Sequence, residues 1–231
     1  MMKVIMSAIR AGWIMAILLA LASCSISPGQ RSRFSGEPLE GRRVVVLGFQ
    51  VALFPGQGAK PLRDPLTGSV FMAEPVAGEK ADELSERLYM LIHGQKDYLF
   101  VGPEEARGIV QSLEGTDIGT QEKPLTLLVK VGKAFKADMV LAGYLYRWRE
   151  REGESYGVIR AASVAFSLHL ISVKKATVLW SGRFDKTQRS LSENLLDMRT
   201  FFRGKGKWMS ARELASLGLE IIIRDMPLRD K

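Results

Sequence analysis

The chain opens on an apolar run, turns polar, and becomes periodic only from residue 43. Lys3 and Arg10 are the only charges before Arg31, and the stretch AGWIMAILLALAS leads unbroken to Cys24. Residues 25–42, SISPGQRSRFSGEPLEGR, have no apolar period and are rich in Ser, Gly, Pro and Arg, which predicts a flexible tether. RVVVLGFQ at 43–50 is a β-branched run and predicts a strand buried on both faces. Residues 51–77 carry Pro55, Pro61, Pro65 and Pro75 and predict a long irregular loop. Leu84, Leu88, Leu91 and Ile92 then recur at helical spacing, with Gly94 as a terminator. DYLFVGP at 97–103 predicts a short strand. Pro103 and Pro124 each open a helix, the second placing Leu125, Leu128, Val129 and Phe135 near one face.

The following block is strand-rich. ADMVLAGYLYRWRERE begins as a buried strand and then alternates, Tyr144, Tyr146 and Trp148 against Leu145, Arg147 and Arg149. YGVIRAASVAFSLHLISV alternates over a long span, with Val164, Phe166, Leu168 and Leu170 on one face and His169 on the other. The turn KKA leads into TVLWSGRFDKT, and short turns between strands imply antiparallel pairing. The last element, SARELASLGLEIIIRDM, begins with a capping box, Ser210 to Glu213. Met209 and Leu214 sit where a hydrophobic staple packs, and Leu217, Ile221 and Ile222 are expected to dock the helix. The fold class expected is α/β, a mixed and largely antiparallel sheet packed with helices in a single domain over 43–231. No internal repeat is visible.

Charge and cysteine count change the picture at the front of the chain. A positive start, a short apolar core and small residues form the pattern of a secretory signal peptide over 1–23. The core is shorter than the ~20 apolar residues a spanning helix needs. Leu21-Ala22-Ser23-Cys24 resembles the bacterial lipobox. The resemblance implies cleavage before Cys24, acylation of its thiol and new amino group, and membrane attachment through lipid. Ser25, where Asp often marks inner-membrane retention in such lipoproteins, implies the outer membrane. Cys24 is the chain's one cysteine, so no disulfide forms within it. Losing Lys3 and Arg10 takes the net charge from +8 to +6, which suits anionic partners such as lipid head groups or an acidic cell-wall polymer. Nucleic acid is not expected as a partner of an exported protein.

The chemistry-bearing residues are sparse. His93 falls at a predicted helix end and His169 on a strand, and neither has a neighbour that completes a metal set or a nucleophile pair. No Gly-x-Ser-x-Gly elbow or His-x-x-x-His pair occurs. Glu104-Glu105 and Asp82-Glu83 lie at helix starts, where acids belong. No catalytic residue, cofactor or metal is expected. The basic run RGKGKW, with Arg203, Lys205, Lys207 and Trp208, is a candidate interaction loop, as is the segment 51–77.

RVVVLGF is similar to the opening strand VAVLPF of a family of small periplasmic α/β domains, VGKAFKADMVLAGYLYR to its helix-into-strand segment, and VAFSLHLISVKKATVLWSG to its hairpin. These domains occur in CsgG, in LpoB and at the amino terminus of TolB. Over roughly 43–225 the resemblance implies an α/β fold and a non-catalytic accessory role in envelope assembly, secretion or cell-wall synthesis, through an envelope protein partner. The alternatives are a pore-forming secretion subunit of the CsgG kind and an unrecognised enzyme. Two departures stand out: Gly48 replaces a usual Pro, and Lys174-Lys175-Ala176 replaces an acidic turn.

Overall fold

A computed structural model describes residues 42–95, 97–114, 123–153, 158–188 and 208–228. The chain divides into two units, 1–31 and 32–231, and every described residue lies in the second. The strands are β1 (Arg42–Val51), β2 (Lys60–Arg63), β3 (Val70–Ala73), β4 (Tyr98–Val101), β5 (Met139–Arg149), β6 (Glu152–Gly153), β7 (Val158–Arg160), β8 (Ser163–Ser172) and β9 (Thr177–Thr187). The helices are α1 (Gly78–Ile92), α2 (Pro103–Glu114), α3 (Pro124–Ala134) and α4 (Ala211–Ile223). The main sheet has the order β4-β1-β5-β8-β9. β1 is parallel to both β4 and β5, whereas β5-β8 and β8-β9 are antiparallel. With the β2-β3 and β6-β7 hairpins, four of the six pairings are antiparallel.

The two faces of this sheet are covered differently. On one face, Val44, Val46, Leu141, Phe166, Leu170 and Trp180 pack against α1 and α4. On the other, Val45, Val140 and Ile171 meet α2 and α3. The far half of that second face, around Tyr146 and Ala165, is covered by the β2-β3 hairpin. Covering on both faces explains why every residue of β8 is buried.

Several expectations need correction. Residues 51–77 are no irregular loop, since they contain the β2-β3 hairpin. A two-stranded ribbon has only edge positions, so Pro61 is tolerated within it. The long alternating segment breaks at residues 161–162 into β7 and β8. β5 carries a bulge between Leu145 and Arg147. Two consecutive residues of a bulge share a face. Tyr146 and Arg147 thus lie on the hairpin side, while Leu145 and Trp148 pack on the α1/α4 side. The aromatic alternation expected through Trp148 ends there. Ile222 and Leu217 pack against the core as expected, whereas Ile221 remains 38% exposed and Leu219 and Ile223 dock in its place. The Ser210–Glu213 capping box is present, with Met209 and Leu214 both buried.

Gly48 has a structural reason. Its φ is +73°, in the left-handed region, at the register shift between Val46 and Gly48. Proline, fixed near −65°, cannot adopt that conformation. A Cβ there would also lie 2.3 Å from Ser85 Oγ, which bridges the Phe49 N–H to the Ala81 carbonyl.

Candidate functional site: a clamped hairpin

An isolated two-stranded hairpin is marginal in water. This one is fastened to the sheet by a buried polar cluster that its own turn supplies. The turn is Asp64-Pro65-Leu66-Thr67-Gly68. Proline suits its first central position, and Gly68 supplies φ +72° before the chain returns at Ser69. Asp64 Oδ1 accepts the N–H groups of Leu66 (3.0 Å) and Thr67 (2.8 Å) and the Thr67 hydroxyl (2.9 Å). Asp64 Oδ2 faces the sheet. There it accepts from the Tyr146 hydroxyl (3.0 Å), the Ser167 hydroxyl (2.5 Å) and His169 Nε2 (2.9 Å). Six donors thus surround one carboxylate whose side chain is fully buried.

The electrostatics follow from that enclosure. Burial pushes the Asp64 carboxyl up, but the hydrogen bond and charge of His169, with Ser167 and the Thr67 N–H, outweigh it and hold it well below the usual range. Burial, then the negative Asp64, pushes the Tyr144 phenol up to about 12 and raises that of Tyr146 as well. Both phenols therefore stay protonated across physiological pH. His169 Nε2 must carry a proton to donate to Asp64. Its Nδ1 lies 2.9 Å from Ser181 Oγ, which can donate or accept.

Further contacts hold the hairpin edges. Phe71 stacks on Tyr146 at 4.1 Å and 5°. Arg183 lies over Phe71 and donates to the Val70 carbonyl (2.9 Å). Buried Arg147 donates to the Met72 carbonyl (2.8 Å), to Ser163 (2.7 Å) and to Asp185. Arg149 pairs with Glu74 at 2.7 Å. What the clamp leaves outside is an apolar stripe. Val70 and Met72 are 46% and 52% exposed, opposite Arg63 and Pro61 respectively. Phe54, in the loop leading into β2, is 61% exposed.

The order Ser181–His169–Asp64 has the composition of a nucleophile-activating relay. Its geometry is that of a clamp. Asp64 and His169 are buried to 1% exposure or less, Nε2 is committed to a carboxylate, and no lone-pair position of Asp64 is left without a donor. The expectation that His169 has no neighbour completing a nucleophile pair is corrected, because the fold brings distant residues to it. In space its partners are Asp64 and Ser181, 105 and 12 residues away. His93 is exposed at the end of α1, its ring stacked on Tyr89. Of the other candidate residues, Cys24, Arg203, Lys205 and Lys207 lie outside the described residues, and Trp208 is half-buried just before α4.

No family model matches the chain, and no curated protein does. Among solved structures it is similar to the PelC dodecamer from Paraburkholderia phytofirmans (14% identity, 87% of this chain and 96% of that one, TM-score 0.43). It is also similar to the lipoprotein GNA1162 from Neisseria meningitidis (14%, 71% and 96%, TM-score 0.41) and to the LpoB C-terminal domain from Escherichia coli (13%, 67% and 87%, TM-score 0.37). With TM-scores under 0.5, these likenesses set no role for the chain.

Proposed function

We propose that the protein is a lipoprotein of the bacterial envelope, tethered through Cys24 to the outer membrane, whose α/β domain is a non-catalytic interaction module. The N-terminal pattern of Lys3, Arg10, an apolar run and Leu21-Ala22-Ser23-Cys24 supports export and lipid attachment. The observation that carries the interaction reading is exposed Val70 and Met72 on a hairpin fixed to a rigid sheet, with exposed Phe54 in the loop leading into it. Exposed side chains on a rigid scaffold carry recognition at low entropic cost. The stripe is rimmed by exposed Lys60, Arg63 and Arg183. It therefore fits a protein partner that presents an apolar patch edged with carboxylates. The chemistry of the buried cluster supports the absence of catalysis, since its one base is enclosed and its carboxylate saturated.

The test is the variant Phe54→Ser/Val70→Ser/Met72→Ser, expressed as the full chain. All three side chains are exposed, so the fold is expected to survive. After crosslinking on membranes, the wild-type chain is expected to co-purify with an envelope protein that the variant loses. An unchanged set of captured proteins would refute the hairpin as the working surface.

A further inference from the structure

The end of the sheet where the tether enters carries an unbalanced positive charge. β1 starts at Arg42, the residue at which the tether is expected to end. A chain of backbone bonds runs across this edge, Asp138 N–H to the Arg43 carbonyl and Val173 N–H to the Asp138 carbonyl, both 2.9 Å. It brings together three pieces distant in sequence. These are the first residues of β1, the C-terminal end of α3 with Lys133 and Lys136, and the β8-β9 turn with Lys174 and Lys175. All four lysines are exposed. The carboxylates at this edge are Asp138, whose Oδ2 accepts the Arg43 N–H, and Asp97, beside the start of β4. Several exposed cations elsewhere are matched, Arg87 with Glu220, Arg107 with Asp82 and Arg160 with Glu152. Among the described residues, Arg42 and the four lysines make no ion pair.

We propose that this edge, formed by Arg42, Lys133, Lys136, Lys174 and Lys175, is a docking surface for anionic phospholipid head groups, which sets the orientation of the domain on the membrane that anchors it. The inference rests on the anchored reading above and adds a second contact to it. Charge complementarity names the partner, and the place where the tether ends makes that partner adjacent. The tether of about 18 residues spans ~25 Å as a coil. Lysines so placed are repeatedly brought within a Debye length of about 8 Å from the head groups, where their attraction is felt. Each Lys at an anionic surface shifts the contact equilibrium roughly fivefold. The replacement of an acidic turn by Lys174-Lys175 thereby acquires a physical role.

The probe is the full chain on vesicles of phosphatidylcholine alone or with about one-third phosphatidylglycerol, each carrying a head-group energy-transfer acceptor. A donor dye is attached at Thr177→Cys, exposed at the basic edge, or at Ile159→Cys. Ile159 lies beyond the opposite end of β8, about 30 Å away along a ten-residue strand. Transfer from position 177 is expected to be strong on the anionic vesicles. It is expected to fall to the phosphatidylcholine level in high salt and in Lys133→Gln/Lys136→Gln/Lys174→Gln/Lys175→Gln, and position 159 should stay weak throughout. Equal transfer from 177 on the two lipids, or stronger transfer from 159, would overturn the proposal. Attachment to phosphatidylcholine vesicles separately reports the lipid on Cys24, and its loss would defeat the anchor. In that case lysine-dependent recruitment to the anionic vesicles alone sustains the basic edge, and no recruitment to either removes it.

Discussion

Replacing Asp64 by Ala removes the acceptor shared by all six donors. Three of those donors, Tyr146, Ser167 and His169, sit on the sheet beneath the hairpin, and the His169 side chain is 1% exposed. His169 keeps Ser181, and both His169 and Ser167 keep each other at 3.0 Å, so the loss is partial for them. Each buried group left unsatisfied costs about 1–3 kcal/mol. A loss of about 3–5 kcal/mol is therefore expected, which lowers the melting temperature by roughly 10 °C in a domain of this size. The folded-state pKa of Asp64 is depressed, so its contribution is fully present above the unfolded carboxylate value of about 3.9 and fades as pH falls below it. Urea titration of wild type and Asp64→Ala should give a difference that narrows as pH falls below about 4. Amide exchange should quicken in residues 60–73 more than in β8. A loss under 1 kcal/mol, or a difference that does not narrow below about pH 4, would refute the clamp.

Gly48→Ala should cost at least the 1–3 kcal/mol of a strained left-handed residue, with a further loss from displacing Ser85; a stability equal to wild type in denaturant titration would contradict the assigned bulge. Trp180→Ala, a truncation at a site 4% exposed, should cost about 3–5 kcal/mol, checked by thermal melting. Cys24→Ala should accumulate an unprocessed precursor on immunoblots, and a mature membrane-bound variant would exclude lipid attachment at that residue. An active-site serine probe such as a fluorophosphonate should leave Ser181 unlabelled, whereas stoichiometric labelling there would show the buried cluster to be catalytic.

The hydrophobic rhythm of the chain carried most of the fold. Strand β1, helices α1 to α4 and the capping box at Ser210 follow from local spacing, because each buries one recurring face or satisfies one helix end. The hairpin was hidden by its prolines, which read as breaks. Its signal was present in the turn Asp64-Pro65-Leu66-Thr67-Gly68 followed by Val70, Phe71, Met72 and Ala73, alternately exposed and buried. The bulge at Leu145–Arg147 left no mark, since Tyr146 and Arg147 look like an ordinary in-out pair until the partner strand is known. The cluster could not be read either. Asp64 and His169 stand 105 residues apart, and only the fold of the hairpin onto β8 joins them. The basic edge is likewise a product of topology, because the end of α3 with Lys133 and Lys136 and the β8-β9 turn with Lys174 and Lys175 are brought together by the sheet.

Site-specific photo-crosslinking tests the central claim most directly. The full chain, anchored in its own membrane, would carry the crosslinker at Val70 on the hairpin or at Met90, which is 69% exposed on α1. Even taut, the tether proposed for residues 25–42 would reach at most roughly 60 Å, so a partner at the same membrane or in the adjoining wall is expected. The account predicts one discrete envelope protein captured from Val70 and none from Met90. Capture from Met90 alone, or of an inner-membrane protein from either position, would contradict it.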